Sequence, residues 1–360
     1  MQLALRVLVR VVEVVALTCV VLGSGEGLLL LGGFAHPARP DPFESAFADG
    51  RVDGYRIHER DARELWKPIG GARLPWSSDV LDAHGFRGAV LAVERTPGVA
   101  RLAVLGGSAA LGRGVGPDET LGAVAARALA AHGVACEALN AGVVGATLVQ
   151  ARERWTNAVR AWRPDVVLLT VGGVEEHAEA LGAPDRELVR TGAAAPSAAL
   201  GPFARLARDS KRGQCARWVS SGFPSHTAEA AAVARPLDPA GASEWPGARR
   251  VAVDEARATL RELAASVRDA GARLVVIVLM ARPTTVKAAP VLAAYTSAIA
   301  EEARALGLDL VDVRAVYTAA FEHGETYADL FAGPTEPAQL GHLRIGQALA
   351  ELLAPSIEKR

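Results

Sequence analysis

The sequence has few of the residues that define several common protein classes. Its 360 residues include three cysteines, two methionines and 5% aromatic residues. So few cysteines exclude a disulfide scaffold and a cysteine-rich zinc module. The shortage of aromatic residues means that the core is built mainly from aliphatic side chains. Positive and negative charges nearly cancel, with 39 Lys and Arg against 40 Asp and Glu. The missing basic excess argues against a dedicated nucleic-acid-binding protein.

Apolar side chains are abundant and make up 50% of the sequence, against 22% charged residues. This balance argues against a globally disordered chain, because such chains lack the apolar surface needed to fold. The length allows one large domain or two domains of ordinary size.

The first 33 residues form a marginal apolar segment. Arg6 and Arg10 precede an apolar run over residues 11–22, and a second apolar patch covers residues 28–31. A bilayer-spanning helix needs about 20 mainly apolar residues. We therefore expect residues 1–33 to be an uncleaved signal anchor, with a cleaved signal peptide or a buried or interfacial helix as alternatives. Because the basic residues come first, the N-terminus is expected inside and the rest of the chain on the extracytoplasmic side, membrane-anchored or secreted.

Residues 34–98 are predicted to be a linker followed by an N-terminal extension. Three prolines within residues 37–42 are typical of an extended linker. The later stretch Gly85-Phe86-Arg87-Gly88 is expected to pack on the domain that follows.

From residue 99 the sequence alternates short aliphatic runs with longer amphipathic stretches. Near-continuous aliphatic runs indicate strands that helices bury on both faces. Strands alternating with helices indicate an α/β fold with a doubly wound, mostly parallel sheet. Strands are predicted at residues 100–105, 135–140, 166–171, 273–280 and 309–313. Helices are predicted at residues 120–132, 147–162, 253–270, 291–306 and 342–353. One domain is therefore expected over residues 99–358.

Residues 183–246 do not follow this alternation of predicted strands and helices. They are rich in Ser, Ala, Pro and Gly and contain a basic cluster at residues 205–217. We expect an insertion or lid loop with a solvated charged face. The alternative is a patch that binds an anionic ligand or a membrane surface.

The sharpest local motif is LGGSAALG at residues 105–112, which closes the first predicted strand. Ligand sites in open α/β sheets lie beyond the carboxyl ends of the strands. A serine on a glycine-rich turn at that place, Ser108, can present its hydroxyl and its backbone N–H to a substrate. Taken alone, the motif also fits a tight turn between a strand and a helix.

Three further blocks follow this motif in a fixed order. They are NAGVVGAT at residues 140–147, GGVE at residues 172–175, and DLFAGPTEP at residues 329–337, which precedes the pair Gly341-His342. This order of blocks resembles the SGNH (GDSL-like) hydrolase superfamily. The lead-in at residues 85–88 is similar to that of its membrane-anchored bacterial members.

The resemblance covers roughly residues 80–355 and implies a flavodoxin-like sheet. It also implies an esterase, lipase, thioesterase or carbohydrate O-acyl hydrolase activity, with an acyl or carbohydrate ester as ligand and no cofactor. Ser108 would be the nucleophile. The N–H groups of Ser108 and Gly145 would hold the oxyanion, together with an asparagine side chain at position 174.

The sequence departs from the family pattern where proton transfer takes place. Val174 stands at the asparagine position. Counting back from His342 puts the family's aspartate and histidine at positions 333 and 336, where this chain has Gly333 and Glu336. A serine hydroxyl needs a neighbouring base, and a carboxylate with a pKa of about 4.3 is a weaker base than a histidine with a pKa of about 6.5. Losing the base typically costs on the order of 10⁶ in rate.

Some residues near the blocks could replace the missing base. The candidates are His177, His323, His342 and Glu336. We expect His177 and His323 at the surface and His342 at the start of the last helix. Glu175 and Glu176 are expected to be solvated or to cap the following helix.

We therefore expect a pseudoenzyme-like family member that binds an acyl or glycan ester or assists an envelope partner. The alternative is an active serine ester hydrolase that uses Ser108 with a rearranged base. A purely structural component of an envelope assembly is a third possibility. No nucleic-acid partner and no metal are expected, and contact with the membrane is expected through the N-terminal helix. A disulfide between Cys136 and Cys215 stays open, although cysteines this sparse are more often unpaired.

Overall fold

The computed structural model describes most of the chain from residue 51 onward. The described residues are 51–52, 55–178, 180, 183–192, 249–288 and 291–357, with Ser24, Gly25, Leu28, Leu29 and Leu31. The predicted anchor apart from those five residues, most of the predicted insertion, and Cys215 lie outside the described residues. Among the described residues, no helix has both the length and the apolar character needed to cross a membrane.

The chain divides into two units. One comprises Met1–Asp41 and Ser197–Arg235, and the other comprises Pro42–Pro196 and Pro236–Arg360. The five described residues of the first unit are helical, and Leu28 and Leu31 among them are exposed. All the elements named below belong to the second unit.

Nine strands lie in the described part of the second unit. They are β1 (Arg51–Val52), β2 (Tyr55–Arg56), β3 (His58–Asp61), β4 (Leu65–Pro68), β5 (Ala100–Leu105), β6 (Cys136–Asn140), β7 (Val166–Val171), β8 (Arg273–Val278) and β9 (Asp309–Asp312). Strands β1 to β4 form two antiparallel hairpins. The other five form one parallel sheet in the order β6-β5-β7-β8-β9, which is the flavodoxin-like order. The predicted α/β fold is confirmed, and the five strands lie within two residues of their predicted bounds.

Eleven α-helices surround the sheet among the described residues of this unit. They are α1 (Ser108–Leu111), α2 (Leu121–Ala131), α3 (Leu148–Arg154), α4 (Val174–His177), α5 (Asp185–Thr191), α6 (Val253–Asp269), α7 (Pro283–Ala288), α8 (Val291–Ala305), α9 (Val313–Glu322), α10 (Tyr327–Leu330) and α11 (Gln339–Ile357). Helix α3 continues through a π turn and a 3₁₀ turn to Trp162.

The sheet carries one apolar core on each face. Successive residues of a strand point to opposite faces, so that Leu105 packs with α3, α6 and α8 while Val104 packs with α2, α9 and α11. Strands β5 and β7 are buried at every residue. This explains why their sequences are aliphatic apart from Arg101 and Thr170.

Several helices differ from the sequence prediction, which did not include short helices such as α5, α7 and α10. Helix α9 was not predicted, although Val313, Tyr317 and Ala320 are buried at helical spacing and the Asp312 side chain caps it by accepting from the N–H of Arg314 at 3.0 Å. Helix α11 begins at Gln339, three residues earlier than predicted, and ends at Ile357.

The N-terminal extension packs on the sheet domain through Arg87. This residue is 2% exposed and pairs with Asp79 at 2.7 Å. Its guanidinium also donates to the carbonyl oxygens of Leu111 at 2.9 Å and Val115 at 2.6 Å. The extension therefore holds the segment that follows α1.

Candidate active site

Ser108 lies at the carboxyl end of β5, where the chain turns into α1. Gly106 in this turn has a φ of +134°, which side-chain-bearing residues rarely adopt. A Cβ on Gly106 would also stand 2.7 Å from the carbonyl oxygen of Thr170 on β7. Strands β5 and β7 meet where the strand order reverses, which is the place where flavodoxin-like sheets bind ligands.

The backbone of Ser108 is fixed, but its hydroxyl is not engaged by the described residues. Its carbonyl oxygen accepts from the N–H groups of Gly112 and Arg113, both at 3.0 Å. The residue is 5% exposed. In the described part of the chain, no group hydrogen-bonds the hydroxyl, whereas a general base must come within about 2.6–3.2 Å.

Gly145 lies in the loop between β6 and α3, and this loop packs against the serine turn. Asn140, at the end of β6, braces the loop by accepting from the N–H of Gly142 at 3.0 Å. The N–H of Val143 donates to the carbonyl oxygen of Gly106 at 3.0 Å. The loop that carries Gly145 and the turn that carries Ser108 are thus joined by a direct hydrogen bond.

The third block presents a different residue to the serine turn from the one expected. Val174 packs in a small apolar cluster with Ala281 and Leu292. Its neighbour Glu175 is turned toward the serine, and Glu175 Oε1 lies 2.6 Å from the point where a Cβ on Gly107 would stand. The expectation that Glu175 is solvated is therefore wrong.

Glu176 is also placed differently from the prediction. It is 3% exposed. Its Oε1 accepts from the N–H of Leu148 at 2.9 Å, so Glu176 caps the start of α3. Its Oε2 has no hydrogen-bond partner within the described residues.

A small cavity of about 10 Å³ lies between the carboxyl ends of β5 and β7. This is about the space that the centre of one water molecule requires. Its lining includes Gly107, Thr147, Thr170, Glu175, Glu176 and Thr335. Thr335 brings the last sequence block to the same cavity as the first three. For the part of the chain that the structure describes, no group of three or more His, Cys, Asp or Glu could hold a metal ion.

Glu336 folds back over its own loop. Its Oε2 accepts from the N–H of Thr335 at 3.3 Å, and its backbone carbonyl accepts from the N–H of Ala332 at 2.9 Å. A Cβ on residue 333 would stand 3.0 Å from Glu336 Cδ. Gly333 therefore leaves the space that the Glu336 carboxylate occupies.

Comparison with known proteins decides the family. The model of the GDSL-like lipase/acylhydrolase family matches residues 104–344. This range begins at the end of β5, ends in α11 and includes all four segments described above. The chain belongs to this family. A search of curated proteins gives no match.

Similar solved structures include three hydrolases. An acetylxylan esterase from Geobacillus stearothermophilus is 15% identical, with a TM-score of 0.43, covering 71% of this chain and 95% of its own. A lipase/acylhydrolase from Enterococcus faecalis is 16% identical, with a TM-score of 0.45 and coverages of 71% and 96%. An alpha/beta hydrolase from the metagenome of Lake Arreo, Spain, is 17% identical, with a TM-score of 0.42 and coverages of 71% and 96%.

This GDSL-like protein surrounds its serine turn with carboxyl groups. Burial raises the pKa of Glu175 to about 7, and the nearby carboxylates of Glu176 and Glu336 act in the same direction. Burial also raises the pKa of Glu176. Near neutral pH, Glu175 is therefore divided between its neutral and charged forms, so that it can donate or accept a proton.

The histidines considered as replacement bases make no hydrogen bond to Ser108 within the described residues. His342 is 1% exposed, and burial lowers its pKa to about 3. His177 is buried against Tyr295, so the expectation of a surface position is wrong, and burial lowers its pKa to about 4. His323 is exposed as expected, and its Nδ1 lies 2.7 Å from the carbonyl oxygen of Ala319 on its own helix.

Arg250, which was not predicted as a site residue, holds the Gly145 loop from behind. Arg250 is 4% exposed and donates from Nη1 to the carbonyl oxygen of Gly145 at 2.7 Å. It pairs with fully buried Asp185 at 2.8 Å and lies 4.8 Å over the ring of Trp66. Its partners are 65 and 105 residues away in sequence, so no local pattern indicates the contact.

Proposed function

We propose that this protein binds an acyl or carbohydrate ester beside Ser108 and hydrolyses it poorly. In this role it holds the ester or assists a partner in the cell envelope. The observation that carries the proposal is the conformation of Gly333 and Glu336 in the last sequence block, residues 329–337. The Glu336 carboxylate is bonded within its own loop over Gly333, where the family resemblance implies a histidine oriented by an aspartate.

The chemistry that remains favours binding over turnover. Ser108 sits on a rigid turn and the Gly145 loop is fixed against it, which supports the proposal that the two backbone N–H groups hold an ester carbonyl. Attack by the serine also requires removal of its proton. With no base touching the hydroxyl among the described residues, the acylation step is expected to be slow.

A second candidate function is an active ester hydrolase with a carboxylate base. The observation that favours it is the Glu175 carboxyl group beside Gly107, whose pKa of about 7 is close to the optimum for a general base. The carboxylate would take the serine proton as the bond between the serine oxygen and the acyl carbon forms. It would return that proton to the departing alcohol.

One pair of measurements separates the two candidates. The full chain and its Ser108→Ala variant are assayed for hydrolysis of short-chain acyl esters, and binding of the same esters is measured by calorimetry. The proposal predicts that the ester binds to both proteins and that their hydrolysis rates differ little. A fast hydrolysis that Ser108→Ala abolishes would establish the second candidate instead. Absence of ester binding would contradict both.

We further propose that residues 1–33 anchor the protein in a membrane with the family domain on the extracytoplasmic side. The order of Arg6 and Arg10 before the apolar run supports this orientation. Membrane fractionation of cells that express the full chain, followed by protease treatment of intact spheroplasts, provides the test. A domain that stays protected from the protease until lysis would contradict the orientation.

A further inference from the structure

The lining of the cavity beneath the serine turn includes a buried carboxylate oxygen that has no hydrogen-bond partner among the described residues. Thr147 donates its hydroxyl proton to Asp185 at 2.8 Å, and the Thr170 hydroxyl is directed at the backbone of β5. The remaining side-chain polar groups of the lining include Glu175 and Glu176, and Glu176 Oε2 has no partner among the described residues although the residue is 3% exposed. A buried acceptor without a partner is unfavourable, so the cavity is suited to an occupant that donates hydrogen bonds.

The charge around the cavity is negative. Glu175 is affected by the carboxylates of Glu176 and Glu336, and the cation that acts on both Glu175 and Glu176 is Arg250. Arg250 is already ion-paired with Asp185. A neutral donor such as water would satisfy the oxygen atoms but would leave this excess of negative charge.

Two further arginines near the site direct hydrogen bonds at backbone carbonyls. Arg249 donates to the carbonyl oxygen of His177 at 3.0 Å, and Arg282 donates to that of Phe331 at 2.6 Å. Arg282 forms no ion pair with the carboxylates of the cavity within the described residues, so it leaves the demand for a positive charge in place.

We propose that this cavity receives the ammonium group of the ligand, and that the ester bound beside Ser108 is an aminoacyl ester. An ammonium group has three donors, carries the missing charge and is about the size of a water molecule. The cavity wall includes Gly107 and Ala109, which flank Ser108. The ammonium therefore lies within a few bonds of the carbonyl that faces the serine. This inference rests on the proposed function and adds the class of ester.

The test compares two esters of the same shape. Glycine methyl ester and methyl propionate differ in that an ammonium group replaces a methyl group. Binding of each to the full-length Ser108→Ala protein is measured by NMR titration at pH 6.5, so that hydrolysis does not intervene. We expect glycine methyl ester to bind about tenfold or more tightly, as charge-assisted hydrogen bonds imply.

Variants of the cavity identify the source of the preference. Glu176→Gln in the Ser108→Ala background keeps an oxygen for the N–H of Leu148 but removes the charge, and it should reduce the preference by several-fold. Glu175→Gln is the second variant, in case the first fails to fold. Glu301→Gln, at an exposed position on α8 outside the cavity, is the matched control and should leave the preference unchanged.

The outcomes distinguish this inference from the function on which it rests. Equal binding of the two esters, or tighter binding of methyl propionate, would overturn the aminoacyl assignment and leave the ester-binding function intact. A preference that persists in both glutamine variants would also overturn it. Failure of both esters to bind would contradict the ester-binding function and this inference together.

Discussion

The side chain of Glu336 lies over the α-carbon of Gly333, in space that any side chain at residue 333 would have to share. The two residues occupy the positions where the family resemblance implies an aspartate and a histidine that act together. In this chain they also act together, but the interaction is steric, because glycine leaves room for a carboxylate that bonds to its own loop at 3.3 Å. A change at one position therefore affects the other.

The serine turn requires glycine at residue 106 for two reasons, its φ of +134° and its approach to the Thr170 backbone. Gly106→Ala should lower the free energy of unfolding by about 3 kcal/mol or more. Gly98→Ala is the matched control, because Gly98 also has a positive φ but has no atom within 4 Å of a new Cβ. That variant should lose only about 1 kcal/mol. Denaturant unfolding of both proteins gives the comparison, and equal losses would contradict the close-approach argument.

The buried pair of Arg250 and Asp185 should be strongly coupled. Arg250→Met leaves the fully buried Asp185 without its cation and should destabilise the protein by about 3–5 kcal/mol. Adding Asp185→Leu removes the unpaired charge, so the double variant should be more stable than the sum of the two single losses predicts. A double-mutant cycle of urea unfolding measures this coupling. Additive losses would show that the two buried side chains are not coupled.

Glu175 should make the protein less stable as the pH rises. Its pKa is higher in the folded protein, at about 7, than the ordinary value of 4.5, so folding favours the protonated form. The stabilisation is complete below pH 4.5 and is lost as the pH rises through about 7. The loss is on the order of 2–3 kcal/mol. The unfolding free energy of wild type relative to that of Glu175→Gln should therefore fall between pH 4.5 and 8, as denaturant unfolding of both proteins measures. Parallel curves would contradict the placement of Glu175 among carboxylates.

His342 should have the opposite dependence on pH. Its pKa is lowered from 6.5 to about 3 by burial, so the folded protein favours the neutral ring. The stabilisation is present above pH 6.5 and is lost as the pH falls toward 3, by about 2 kcal/mol between pH 7 and pH 5 for this one group. His342→Leu should reduce that slope, which urea unfolding of the wild type and the variant between pH 5 and pH 7 measures. A slope that is unchanged in His342→Leu would contradict the burial argument.

Residue pattern predicted the sheet because its strands are buried on both faces. The runs ARLAVL and VVLLTV contain no polar residue that could face solvent apart from Arg101 and Thr170, so their strand assignment follows from composition. Ser108 was found for a related reason. A serine on a glycine-rich turn after a buried strand is a local feature, and the order of the following blocks gave its context.

The remaining features depend on contacts that a linear pattern does not contain. Whether Val174 or Glu175 faces the serine is set by the left-handed conformation of Gly173, which fixes how α4 leaves the strand. Arg250 reaches Gly145 across 105 residues of sequence. The buried position of His177 follows from its packing against Tyr295 on a different helix.

The central claim is that Ser108 is in place and that the proton-transfer pair is missing. The direct test is to measure ester hydrolysis by the Gly333→Asp/Glu336→His double variant, with and without Ser108→Ala. In this variant the histidine removes the Glu336 side chain that would collide with a new Asp. We predict that turnover rises by about 10²–10⁴-fold over the wild-type chain and that Ser108→Ala abolishes the gain. A correctly folded double variant that hydrolyses esters no faster than the wild-type chain would contradict the account.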